Sequence, residues 1–237
     1  MKRVYVWDLP TRIFHWSMVV LVGLAYIVSS GRPYGATFLI HVASGYAVAL
    51  LVLFRLAWGI VGGEHARFAA FLADWNGIKA HARALLRLSP QRTTGHNAIG
   101  GWAIVLILVT LALIIVTGLL SQGKTGGAGP LSWVLPTALV GTVGEIHQFL
   151  GNLILYLAGF HVLGVIAESL LLRENLTRAM IDGHKHDERP EARDARRGPA
   201  WLAVSLALLL AVLGGYMASM TRVPTRPGTP AIEKSEK

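Results

Sequence analysis

Four histidines stand in stretches of this chain that are otherwise apolar: His15, His41, His147 and His161. Two of them share one segment, "GEIHQFLGNLILYLAGFHVLG" (144–164), fourteen positions apart. On an α-helix fourteen residues span about 21 Å and close to four turns, so both imidazoles face nearly the same way. An ionisable side chain inside a bilayer is costly and by default marks a functional site. Imidazole is a common metal ligand. Two imidazoles at one depth on facing helices can supply both axial ligands of a haem iron. A helix bearing two, four turns apart, could give one ligand to each of two stacked b-type haems. The chain has no cysteine. That excludes structural disulfides, thiolate-held iron–sulfur or zinc sites, and covalent c-type haem.

The elements that must position these histidines follow from charge and hydropathy. The 237 residues are 53% hydrophobic and only 15% charged, well below the charged share of soluble domains. Uncharged stretches run over 13–31, 33–54, 93–123, 125–144, 146–167 and 198–221. Five are long and apolar enough to cross a bilayer as helices. The segment 125–144 carries two prolines and five glycines and reads as an interfacial loop with at most a short helical turn. Lys and Arg number three in 1–12, six in 55–92 and seven in 173–197, against Arg32, Lys124 and four in the tail. This bias places the N-terminus in the cytoplasm and the C-terminal tail outside. The basic charge is then a topology signal with some attraction for anionic lipid, and nucleic-acid binding is not expected.

With that topology His41 and His147 lie at the outer depth, and His15 and His161 nearer the cytoplasm. Gly45 and Gly151 each follow a candidate ligand by four residues. They leave room for a flat macrocycle or for close helix packing. Arg55 falls fourteen residues after His41, on the same face at the inner depth, where it could meet a haem propionate or serve as a positive-inside anchor. His96 sits at the mouth of the third helix. It is read as a haem or quinone contact rather than a ligand. His65, His81, His184 and His186 read as solvated loop histidines. "DWNGIKAHARALLRL" (74–88) suits a short helix on the membrane surface. Residues 176–198 read as a charged linker, 199–221 as a fifth transmembrane helix without a ligand, and 222–237 as a flexible periplasmic tail.

"VWDLPTRIFHW", "HVASGYAVALLVLFRLAWG", "GHNAIGG" and the His147/His161 pair together resemble the bacterial cytochrome b561 family, including cytochrome b subunits of Ni,Fe-hydrogenases. The resemblance covers residues 1 to about 175. It implies an all-α membrane protein: a four-helix transmembrane bundle holding two non-covalent b haems, with the fifth helix an addition. It implies His15, His41, His147 and His161 as axial ligands, paired His41/His147 and His15/His161. The implied function is electron transfer across the bacterial inner membrane, between quinone and a periplasmic redox protein such as a c-type cytochrome or hydrogenase subunit. A homo-oligomer is compatible with it. The rival functions are a haem-bearing anchor for a periplasmic oxidoreductase and, in another class, a histidine-based proton or metal transporter. The transporter lacks carboxylates within its spans, Glu145 and Glu168 lying only at the edges of the fourth.

Overall fold

The computed structural model describes residues 2–29, 35–72, 74–121, 131–187 and 193–219. Strand β1 (Lys2–Tyr5) leads into α1 (Leu9–Ser29) and α2 (Ala36–Val61). A short helix, α3 (Trp75–Leu86), precedes α4 (Ala98–Leu120) and α5 (Thr137–Leu172). Then come α6 (Leu176–Asp182), β2 (His184–Asp187) and α7 (Ala200–Ser219). Four helices, α1, α2, α4 and α5, are long and apolar enough to cross a membrane, and the chain is a helical, multi-pass membrane protein.

Helix starts are set by side chains that accept otherwise orphaned N–H groups, each such cap contributing about 1 kcal/mol. Asp74 caps α3, Asn97 caps α4 and Asn175 caps α6. Asp8 does more. Its Oδ1 accepts the N–H of Thr11 at 2.9 Å, while its Oδ2 accepts Trp58 Nε1 and the N–H of Gly63, both at 3.1 Å. One buried carboxylate thus ties the first turn of α1 to the last turn of α2, and Trp58 beside it is wholly buried.

Helix α5 begins at Thr137, so the segment expected to be a loop through 144 is helical over its last eight residues. The helix starts directly after Pro136, which needs no N–H partner. Both prolines therefore lie outside it, and Gly141 and Gly144 cost only helix propensity. A 36-residue helix is about 54 Å long and outreaches a hydrocarbon core of about 30 Å.

At mid-height Met18 of α1, Val48 and Val52 of α2, Leu111 of α4 and Ile154 of α5 form one buried apolar cluster. Helix α5 packs along α4, whereas its backbone stands off from α1 and α2. Side chains bridge that gap, with Ile154 in the cluster and Tyr26 Oη donating to Asn152 Oδ1 at 3.2 Å.

The charged segment read as a linker is tied down where it is described. β2 pairs antiparallel with β1, Lys2 opposite Asp187 and Tyr5 opposite His184. The N–H of Tyr5 donates to Asp194 Oδ1 at 2.7 Å, and the N–H of Ala195 to Tyr5 O at 2.8 Å. Arg193 holds both carboxylate oxygens of Glu64 at 2.7 and 2.9 Å. These bonds keep the Glu64 carboxyl down at about 2, the Arg193 hydrogen bond being the largest cause. The pairing of β1 with β2 puts both ends of the four-helix unit on one side, as four crossings require. Helix α7 lies along α2, burying Ala203 and Leu210 against Phe54 and Trp58. Arg32, Lys124 and the tail 222–237 lie outside the described residues.

Candidate functional site

The two histidines of α5 each face an imidazole from another helix. His147 meets His41 of α2 with ring centroids 6.1 Å apart and planes at 84°. His161 meets His15 of α1 at 6.5 Å and 55°. The depth assignment made from spacing and charge therefore brings together the same two pairs. The His15/His161 pair is nearer the end that carries β1 and β2, and the His41/His147 pair nearer the opposite end.

At the far pair the ring orientation is fixed by the backbone. His41 Nδ1 lies 2.9 Å from the carbonyl of Ala25, and His147 Nδ1 lies 3.0 Å from that of Ile114. A carbonyl only accepts, so each Nδ1 must carry the proton. Each Nε2 is then left as the lone-pair nitrogen, the tautomer that a metal requires. Thr117 Oγ1, 3.2 Å from the same Nδ1, adds to the hold on His147. Gly118 makes the approach possible, since a Cβ there would stand 3.0 Å from the His147 ring.

The residues fit a bis-imidazole haem. Two nitrogens each about 2.0 Å from one metal, with ring centroids about 1 Å behind them, put the centroids about 6 Å apart. Both pairs have that spacing. A Cβ on Gly45 or Gly151 would meet nothing within 4 Å, which leaves space beside the far pair on both α2 and α5. His15 Nδ1 is buried without a partner, a state that ordinarily costs about 1–3 kcal/mol. Among the described residues no three histidine or carboxylate side chains converge on a metal-sized site.

Arg55 is 3% exposed, with its guanidinium 4.9 Å from the Phe68 ring centroid and 5.8 Å from that of Phe71. Its Nη1 has no hydrogen-bond partner. A buried cation on two aromatic faces with a donor to spare is suited to an anionic group such as a propionate. His96 does not join either pair. It lies between Trp7 and Phe71, at ring distances of 4.5 and 4.8 Å, and its Nδ1 also lacks a partner. Burial, with Arg55 next, holds its imidazole well below the ordinary value, so it is a neutral ring with a polar atom unspent.

His81 corrects the solvated-loop reading. It is buried, with its Nε2 2.9 Å from Glu168 Oε1, and Asn97 Nδ2 donates to the other oxygen at 2.6 Å. α3, α4 and α5 thus meet in one polar cluster. Leaving one of these buried polar groups without its partner costs about 1–3 kcal/mol. His65 is also half-buried, against Gly95 and at the edge of Trp7, and burial lowers its pKa. No periodicity marks these contacts, because their partners are dozens of residues away.

A family model described as Prokaryotic cytochrome b561 matches residues 6–183. A "Probable Ni/Fe-hydrogenase B-type cytochrome subunit" of Azotobacter vinelandii is 29% identical over 221 residues, covering 79% of this chain and 91% of its own. A protein of the same description from Rhizobium leguminosarum bv. viciae is 27% identical, over 78% of this chain and 89% of its own. A "Probable Ni/Fe-hydrogenase 1 B-type cytochrome subunit" of Escherichia coli is 24% identical, over 76% and 90%. No solved structure matches significantly.

Proposed function

The chain belongs to the prokaryotic cytochrome b561 family, and from that premise we propose that it is a di-haem membrane cytochrome passing electrons between quinone on the cytoplasmic side and a redox protein on the periplasmic side. The observation that carries this reading is that α5 faces a second imidazole at two depths, 6.1 and 6.5 Å centroid to centroid. Bound b haem supplies one-electron redox chemistry at iron. The chain's own residues do the rest. His41 and His147 hold the far centre, their protonated nitrogens fixed on the carbonyls of Ala25 and Ile114. His15 and His161 hold the near one. The cluster around Ile154 keeps water out of the space between.

The basic end is cytoplasmic by its Lys and Arg content, and quinone exchanges protons there together with electrons. Glu168 follows His161 by seven residues, two turns further on the same face of α5. With His81 it forms the buried titratable pair nearest that end of the near site, and the two side chains can hold and pass a proton. Arg55 neutralises a propionate. His96 lies on the same side as a further polar contact. The curated relatives carry the words Ni/Fe-hydrogenase in their names, which supports a hydrogenase-like periplasmic partner over a c-type cytochrome. Helix α7 crosses the membrane as a fifth span and carries the tail to the periplasmic face.

The test is haem content together with quinol reactivity. A pyridine haemochrome assay on pure protein is expected to give two haems per chain, and a quinol analogue to reduce them. One haem at full occupancy, or no reduction by quinol, rejects the reading.

A further inference from the structure

The end that carries β1 and β2 also holds a cavity of about 390 Å³ that plays no part in the electron-transfer reading. Its walls come from β1, the segment before α4, the end of α5, α6 and β2. Arg3, Arg92, Arg173, Arg178 and Lys185 all line it. Only two carboxylates, Glu174 and Asp182, line it with them, so five cations stand against two anions.

Four of the five cations have a hydrogen-bond or ion-pair partner. Asp182 is shared by Arg3 at 3.3 Å and Arg178 at 3.7 Å, and it also accepts the N–H of His184 at 2.9 Å. That last bond leads the causes that lower its pKa and keep it anionic. Arg92 donates to Leu172 O at 2.6 Å, and the Lys185 ammonium to the carbonyls of Thr93 and Gly95 at 3.3 Å. Arg173 caps α5 in the left-handed conformation, φ 51°. Its guanidinium has no partner among the described residues. Crowding this much like charge into one concavity is unfavourable unless an anion enters, and guanidinium forks match phosphate oxygens in pairs.

The position and the remaining donors and acceptors narrow the ligand. Arg92 precedes α4 and Arg173 follows α5 directly, so the cavity opens where two spans leave the bilayer. Basic pockets at that depth bind anionic head groups. The volume is at the small end for a ligand site, enough for a head group and not for acyl chains. On the wall, Glu174 Oε1 is buried and accepts no hydrogen bond. The phosphodiester of a phospholipid has no proton to give it, so the donor must be a hydroxyl on the head group.

We propose that this cavity is a binding site for a phosphate group, carried by an anionic phospholipid of the adjoining leaflet whose head group also bears a hydroxyl donor. Its occupant bridges residues 2–5, the end of α5 and residues 184–187, and so clamps the extramembrane cap to the haem-bearing bundle.

The experiment uses the full-length protein purified from membranes and delipidated, with native mass spectrometry as the readout. Phosphatidylglycerol is expected to add one molecule saturably, and phosphatidylcholine is not. Arg173→Gln removes a side chain that bonds nothing among the described residues. It is expected to weaken phosphatidylglycerol binding about fivefold, the change for one cation at a membrane surface. Arg87→Gln, an equal charge loss outside the cavity, is expected to leave binding unchanged. Equal losses in the two variants, or phosphatidylcholine bound as well as phosphatidylglycerol, overturn the site. In a parallel thermal-shift titration with inorganic phosphate, saturable stabilisation that Arg173→Gln abolishes, without preference for phosphatidylglycerol, overturns the lipid and reassigns the cavity to soluble phosphate.

Discussion

His41 and His147 face each other at 6.1 Å, and each has its Nδ1 fixed on a backbone carbonyl, Ala25 for one and Ile114 for the other. The Nδ1 of each ring is thus fixed before anything binds, and in the neutral ring Nε2 is the lone-pair nitrogen, so neither ring must change tautomer.

That arrangement makes the pairing testable. His41→Ala and His147→Ala are expected to lose the same haem, reducing the content from two per chain to one, with identical difference spectra. His15→Ala and His161→Ala are expected to lose the other. If His41→Ala and His147→Ala removed spectroscopically different haems, the proposed ligand pairs would be wrong.

Arg55 is buried on Phe68 and Phe71 with Nη1 unspent. A fixed cation favours the electron-rich state of a nearby centre. Arg55→Leu is expected to lower the midpoint potential of the His15/His161 haem by roughly 60 mV, a tenfold change in a one-electron equilibrium. The far haem is expected to keep its potential. A redox titration with both potentials unchanged would leave Arg55 a topological anchor only.

Glu168→Gln retains a side chain that can still bond His81 and Asn97 but can no longer carry the proton. Quinol oxidation is expected to slow on the order of a hundredfold, within the range for general acid–base groups, while haem content and spectra stay unchanged. Stopped-flow haem reduction by a quinol analogue gives the rate, and a wild-type rate in the variant would remove the pair from the proton path.

Glu64 has its carboxyl held down to about 2, from an ordinary 4.5, chiefly by Arg193. Because the folded value lies below the unfolded one, the contribution is fully present above about pH 4.5 and is lost as pH falls toward 2. Wild type is therefore expected to melt higher than Glu64→Gln at pH 6, with the gap closing between pH 4.5 and 2. A gap that stayed constant over that range would show that the carboxylate's charge is not what holds residues 193–196 in place.

Helix α7 contributes Ala203 and Leu210 to the packing around Trp58, and Gly214 admits Leu50. It offers no histidine. Deleting residues 199–237, which spares β2 and the Glu64–Arg193 bridge, is expected to leave both haems and their spectra intact while weakening assembly with a partner or second copy. Haem loss in that truncated protein, seen in its absorption spectrum, would make α7 part of the cofactor core.

What the sequence determined by itself is whatever depends on depth. A helix in a bilayer rises 1.5 Å per residue and must cover about 30 Å. The fourteen-residue separation of His147 and His161, read with the Lys and Arg bias, therefore places four imidazoles in two layers before any fold is known. What only the tertiary structure decided lies at the basic end. The burial of His81 depends on Glu168, 87 residues away. The tie of α1 to α2 depends on Asp8 reaching Trp58 and Gly63. A run that looks like a solvated linker is partly held by Tyr5 and Glu64. These contacts join segments distant in sequence through single polar groups. Such groups impose no repeat on the sequence, so neither hydropathy nor spacing records them. They become legible only when the four spans, set by the bilayer, bring their ends together.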